Sequence, residues 1–308
     1  MKLQAALEYL MTYLWAIIII ALILVAFYLL GVFNANTYSP TASPGSCSVT
    51  RPDGPGTTAG IRLVGTCNFA KPEFIFASHG VGDFVIFNSS SPQSMLNIVN
   101  SITITAWAAV TGPPFHDVVD KEYQYGMKLD YNNQPHPCSP SDYPGWCLEW
   151  DTAGDWNGYG FPIPNAGYGK FMFLSVSMNP TTKYWYANGQ LLGTRPNPGG
   201  MGYVGSNVVI GTLSPSCYAC GPSDGYGDAE WFNGAISDVQ IYDAALSSNS
   251  IEALYQEGVG GAPIDLSNLV AWWPLNGNGN DYSGDQLNSY TTNGITFTGG
   301  PWWDGYQP

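Results

Sequence analysis

Apolar and polar positions divide the chain near residue 36. Residues 4–33 are almost continuously apolar, and Glu8 is their one charge. As a helix, the uncharged part from Tyr9 to Phe33 would run about 37 Å at ~1.5 Å per residue, against ~30 Å for the hydrocarbon core of a bilayer. Lys2 precedes the stretch, and Asn34, Asn36, Ser39, Pro40 and Pro44 end it. Residues 37–73 are rich in Ser, Thr, Pro and Gly and read as a stalk, with one short alternating run at 61–64. From Phe74 the pattern becomes β. Short runs at 74–76, 84–87, 102–108, 171–178, 183–187, 208–210 and 235–242 are β-branched or aromatic and are separated by Gly, Pro, Asn and Ser. Asn188-Gly189 between two such runs predicts a hairpin turn. Residues 248–257 alone read as a helix in this part, with a serine start, apolar Ile251, Leu254 and Tyr255, and Gly258 as the stop. Many short strands with few helices predict a β-sandwich or jelly roll. The expected order is an N-terminal signal or assembly helix at 1–36, a stalk at 37–73 and a mainly β head at 74–308.

The helix admits three readings. A single membrane anchor accounts for its length. A cleaved secretory signal fits less well, because such apolar regions run about 7–15 residues and end in small residues, whereas this run ends in Gly31-Val32-Phe33. The third reading rests on Glu8. A carboxylate inside an apolar helix costs a few kcal/mol in lipid unless it is paired. Cleavage between Leu3 and Gln4 would create an amino terminus about one helical turn from Glu8, and that amine on a neighbouring subunit would neutralise it. The segment from Lys2 to Leu10, with Thr12 to Ile17 after it, resembles the class III signal of archaeal type IV pilin-like proteins, although that family carries Gly where this chain has Leu3. The resemblance implies helical homopolymer assembly through Gln4 and Glu8, with the chain in the membrane before assembly.

Composition narrows the partners. The chain carries 9 Lys and Arg against 23 Asp and Glu, a formal net charge of −14, which argues against nucleic acid and anionic membrane surfaces. Few charges with many Tyr, Trp, Gly and Asn suggest an extracellular β-protein. All six cysteines (Cys47, Cys67, Cys138, Cys147, Cys217, Cys220) lie beyond the helix, an even set that suggests disulfides in an oxidising compartment. The local pairings would be 47–67, 138–147 and 217–220, though the sequence leaves the connectivity open. A zinc site at Cys217-x-x-Cys220 would need a second pair.

Residues 231–242, then Ala245-Leu246-Ser247 and 251–255, resemble the closing strand and short helix of laminin-G-like, concanavalin-type jelly rolls. Residues 83–85 with 101–107 resemble their early strands, and 118–121 and 185–189 two middle ones. Leu269 to Gly277 resembles the opening strand of the same fold, yet it follows the closing helix. About 40 residues do not build another sandwich, so a circular permutation is expected. The tail should pair beside 235–242 or 84–87, Trp272 and Leu275 should be buried, and Pro301 should approach Pro72.

The resemblance also implies a calcium ion at the sandwich rim, with Asp238 and Asp281 at matching positions and Asp83 as a third carboxylate; the alternative is that these cap turns. No cofactor is otherwise required. Tyr143, Trp146, Trp150 and Trp156 crowd a loop region and are the expected ligand-binding aromatics for surface glycans, the alternative being that they fill loop cores. Glu149-Trp150-Asp151 has the beginning of a glucanase carboxylate row, but the last carboxylate is missing. Retaining hydrolysis needs two carboxyls about 5–5.5 Å apart, and no Gly-x-Ser-x-Gly elbow is present. Asn88-Ser89-Ser90 is the one glycosylation acceptor pattern. The expected function is a non-enzymatic subunit of a surface filament with an adhesive head. A monomeric membrane-anchored lectin is the alternative, and an anchored glycan hydrolase the third.

Overall fold

The computed structural model describes residues 2–29, 41–67, 71–80, 82–112, 116–122, 124–131, 145–152, 155–197, 199, 201–203, 205–213 and 231–299. The chain forms two compact units, Met1–Pro40 and Thr41–Pro308.

In the first unit, helix α1 spans Lys2–Leu29. Gln4 and Glu8 lie in its opening turns, where side chains are outside the described residues. Described side chains begin at Tyr13 and end at Phe27. Trp15, Ile17, Ile20, Leu22 and Val25 are each more than half exposed. At about 100° per residue they point around the whole circumference. Among the described residues no helix is long and apolar enough to cross a membrane. The bilayer span expected for this segment therefore does not follow from the structure, although the helix itself does.

The second unit is a β-sandwich. One sheet runs β11 (Asp155–Pro162), β10 (Trp146–Thr152), β9 (Tyr125–Tyr131), β8 (His116–Lys121), β15 (Val208–Ile210), β6 (Phe84–Phe87) and β18 (Ser289–Asn293). The other runs β14 (Gln190–Pro196), β13 (Thr182–Ala187), β12 (Met172–Met178), β7 (Ile102–Val110), β16 (Asn233–Tyr242), β5 (Ile75–His79) and β19 (Thr296–Thr298), with β17 (Leu269–Trp273) also paired to β16. Period-2 alternation builds two cores. On β7, Ile102, Ile104, Ala106, Ala108 and Val110 face the space between the sheets. Trp107 and Ala109 face outward, beneath helix α2 (Ser248–Glu257), where Ile251 and Leu254 cover them. Both ends of α2 are where the sequence places them. The Ser247 side chain accepts from the Ser250 backbone N–H, and Gly258 takes φ 81° at the stop. The expected turn is also present: Asn188 and Gly189 have φ of 49° and 75°, the left-handed pair that joins β13 to β14.

The tail completes both sheets. β17 pairs with β16 in the register Trp273 opposite Val239. β18 lies along β6, and β19 along β5. Trp272 and Leu275 are buried, at 2% and 0% exposure. Trp273 stacks on Phe87 with ring centroids 3.9 Å apart. Both expected neighbours of the tail are thus used, β16 by β17 and β6 by β18, while β19 adds a pairing to β5. Pro301 lies outside the described residues. Gly299, two residues before it, passes close enough to Glu73 that a Cβ there would lie 3.1 Å from the Glu73 carbonyl oxygen.

The segment expected as a stalk belongs to the same compact unit as the sandwich. β1 (Thr41–Ala42) runs parallel to β4 (Lys71–Pro72), and β2 (Cys47–Thr50) pairs with β3 (Arg62–Gly65). A Cys47–Cys67 disulfide closes this hairpin. Val49 is buried against the outer core, and its N–H donates to the Tyr282 carbonyl. Cys147 is also disulfide-bonded; Cys138, its expected partner, and Cys217 and Cys220 lie outside the described residues.

Candidate functional site

The three carboxylates expected at a calcium site, Asp83, Asp238 and Asp281, each accept hydrogen bonds from nearby groups. Asp238 is 2% exposed and sits at φ 53° where β16 bulges between Ser237 and Gln240. Aspartate and asparagine tolerate this left-handed conformation better than most residues. Its Oδ1 accepts from Trp272 Nε1 at 2.7 Å, and Gln240 Nε2 donates to both oxygens. Asp281 accepts from the backbone N–H groups of Trp272, Ser283 and Leu287 and from the Ser283 hydroxyl. Asp83 accepts from the His79 N–H at 2.7 Å, and a Cβ on Gly294 would lie 1.8 Å from its Oδ1. Each carboxylate thus sits at a turn or a bulge and accepts hydrogen bonds there. Among the described residues no group of three or more His, Cys, Asp or Glu is placed to hold a metal ion.

Burial raises the Asp238 pKa to about 7, against the lowering effect of Gln240 and Trp272. Burial also raises that of Asp281. A raised carboxyl pKa means that the folded state binds the proton the unfolded chain has lost. Its stabilising contribution is complete below about pH 4 and is lost as pH rises through about 7. The shift corresponds to stability of order 4 kcal/mol. The thermal midpoint of the head should therefore fall between pH 4 and pH 7, and Asp238→Asn, which fits the same backbone conformation, should flatten that slope. Parallel slopes in calorimetric scans of the two chains would contradict it.

The expected ligand-binding aromatics separate. Trp146 and Trp150 are 2% and 1% exposed and face the core between the sheets. They correct the expectation: alternation along β10 turns Trp146, Leu148 and Trp150 inward together. Tyr143 lies outside the described residues, as does the side chain of Trp156 on β11. Glu149 points away from that core and is in register with Lys128 on β9, and Lys128 with Asp117 on β8. Lys128 Nζ lies 3.7 Å from Asp117 Oδ1. Asp151, the other half of the carboxylate pair, has no described side chain.

One aromatic that the sequence reading missed is open. Tyr168 is 54% exposed. Its ring stacks on Tyr131 at 6.3 Å and 27° and meets Trp146 edge-on at 5.5 Å and 82°. The loop carrying it, between β11 and β12, is pinned by backbone hydrogen bonds from Gly169 to Val110, Lys170 to Gly167 and Ala166 to Ile163. Asn165 and Gly169 take left-handed φ of 59° and 70° to make the turns. At the same end of the sandwich, Val110 is opposite Gly234 and His79 opposite Asn233, and the Thr111 hydroxyl donates to Asn233 Oδ1 at 3.0 Å. Tyr168 is thus a braced aromatic ring at the end of the sandwich that also carries Thr111 and Asn233. Gly167-Tyr168-Gly169 was the available signal, since an aromatic between two glycines in a loop has few neighbours to bury it.

Two packed antiparallel sheets, with the tail supplying strands to each, define a concanavalin-type jelly roll. The chain belongs to the concanavalin A-like lectin/glucanases superfamily, whose profile matches residues 82–252. No curated protein matches the sequence. Among solved structures, a candidate carbohydrate-binding protein from Bacteroides ovatus is similar at 17% identity and TM-score 0.53, the match covering 79% of this chain and 65% of that one. The chain thus spans slightly under two thirds of that protein. A heptameric SAP-like pentraxin from Limulus polyphemus is similar at 13% identity and TM-score 0.40, over 83% of this chain and 93% of that one. The CBM40 of Ruminococcus gnavus IT-sialidase, solved bound to α2,3-sialyllactose, is similar at 15% identity and TM-score 0.41, over 61% of this chain and 99% of that one.

Proposed function

We propose that this chain is a subunit of a type IV pilus-like surface filament of archaeal kind, with helix α1 packed in the filament core and the jelly-roll head displayed for adhesion to glycans. The observation that carries the proposal is α1 itself. A helix of 28 residues that exposes Trp15, Ile17, Ile20, Leu22 and Val25 on every side needs an apolar cover, and copies of the same helix provide it by packing. Glu8 then meets a neighbour's amino terminus or a polar group of its helix. The head supplies a binding surface rather than a reaction: Asp83, Asp238 and Asp281 accept hydrogen bonds at turns and a bulge, and the Tyr168 ring is open at one end. The carbohydrate-binding neighbours agree with a glycan as target. Exposed Asn88, at the end of β6, is the place for an N-linked glycan. The Cys47–Cys67 disulfide fits an extracellular location.

Glu8→Ala removes the charge that pairs subunits and leaves the head untouched. The sedimentable polymer should drop several-fold while thermal unfolding of the head stays unchanged. Equal polymer from both chains would argue against the pairing. A wild-type chain that remains single in detergent and in membranes would favour a monomeric anchored lectin.

A further inference from the structure

We infer that Tyr168, braced by Tyr131 and Trp146, is the platform on which the head stacks the apolar face of a neutral pyranose ring. The inference rests on the glycan-binding reading and gives it a site and a sugar class.

Three features of the molecule converge here. The first is availability. Tyr168 is more than half exposed, whereas Trp146, Trp150, Trp185, Trp272 and Trp273 are all buried. The second is rigidity. Tyr131 lies behind the Tyr168 ring and Trp146 against its edge, and three backbone hydrogen bonds hold the loop. A ring fixed in advance loses little side-chain entropy on binding, so the contact contributes more to affinity. The third is chemistry. An aromatic face attracts the weakly polarised C–H groups on one side of a sugar ring, while the hydroxyls around that ring need polar partners at the rim. Thr111 and Asn233 lie at this end of the sandwich, and Asn165 and Lys170 lie in the Tyr168 loop itself.

Charge selects the class of sugar. The chain carries −14 overall, and Asp83 sits beside His79 at the same end, 3.5 Å from its Nδ1. Of the side chains named here, Lys170 alone carries a fixed positive charge. Carboxylated sugars are therefore disfavoured relative to uncharged hexoses.

The test uses the full chain and surfaces bearing lactose, cellobiose, chitobiose, mannobiose and 3′-sialyllactose. The wild-type chain should bind at least one of the four neutral sugars and prefer it to 3′-sialyllactose. Tyr168→Ala should weaken that binding about tenfold, or 1.4 kcal/mol. Tyr168→Phe, which keeps the ring, should stay within about threefold. Tyr168→Leu keeps the packing against Tyr131 without an aromatic face and should behave like alanine, so an unstable alanine variant leaves the question decidable. Tyr290→Ala, on exposed β18, is the control and should bind as wild type. Binding retained in both Tyr168→Ala and Tyr168→Leu overturns the platform but leaves the glycan-binding reading standing. A wild-type chain that binds none of the five sugars overturns both. Preference for 3′-sialyllactose overturns the sugar class.

Discussion

A chain ending at Gly261 will not fold its head. The superfamily profile ends at residue 252, so such a chain keeps every residue that marks the family, and sequence similarity alone would predict a stable domain. The sheets predict otherwise. Removing the tail strips β17 from the lower half of β16, β18 from β6 and β19 from β5. It also removes Leu269, Trp272, Trp273 and Leu275, all at most 2% exposed. Truncating one such side chain typically costs ~2–5 kcal/mol, and the whole stability of a domain is ~5–15 kcal/mol. Two further losses follow, because Asp238 loses the Trp272 N–H and Arg51 loses its partners in the tail. The truncated chain should show no cooperative unfolding by circular dichroism and should run as an expanded species. Cooperative melting of the fragment would make the tail an appendage and would contradict a permuted domain.

The second large effect is at Arg51. Its guanidinium joins the N-terminal hairpin to the C-terminal tail, with Nε 2.9 Å from Asp285 Oδ1 and both side chains 2% exposed. Nη2 donates to the Leu269 carbonyl and Nη1 to the Thr57 carbonyl, each at 2.6 Å, and Nε to the Ser283 carbonyl at 3.0 Å. The Gly56 N–H adds a bond to Asp285. Arg51→Ala leaves a buried carboxylate and two tail carbonyls without that donor. Breaking one side of a buried ion pair costs ~3–5 kcal/mol. A midpoint depressed by ten degrees or more is expected for the single variant. Replacing both partners, as Arg51→Met with Asp285→Leu, should recover much of the loss, since the pair's own desolvation is then also removed. An Arg51→Ala chain as stable as wild type would show that the hairpin rests on the head without holding it.

The strands and the helix α2 were legible because their signals are local. β-Branched and aromatic runs, an Asn-Gly turn and a serine cap each act within a few residues. The tail was legible for a different reason. The run Leu269 to Trp273 looks like the start of a fold and arrives at its end, so its partners had to lie among strands already made. The roles of single side chains were less accessible. Trp146 and Trp150 alternate with Cys147 and Glu149, and that period of two turns them inward, but the Pro, Gly and aromatic residues around them carry the signal of a loop surface. Asp238 matches a motif position where a metal ligand is expected, and nothing local shows that it occupies a left-handed bulge beneath Trp272. Arg51 and Asp285 are 234 positions apart, and no short-range pattern joins them.

The central claim is that many copies pack their N-terminal helices and display their heads. Negative-stain electron microscopy of cells making the full chain, beside cells making Glu8→Ala, tests it most directly. The account predicts thin surface fibres studded with globular heads in the first and few or none in the second. A cell surface without fibres, with the full-length wild-type chain present as single molecules in the membrane, would contradict it.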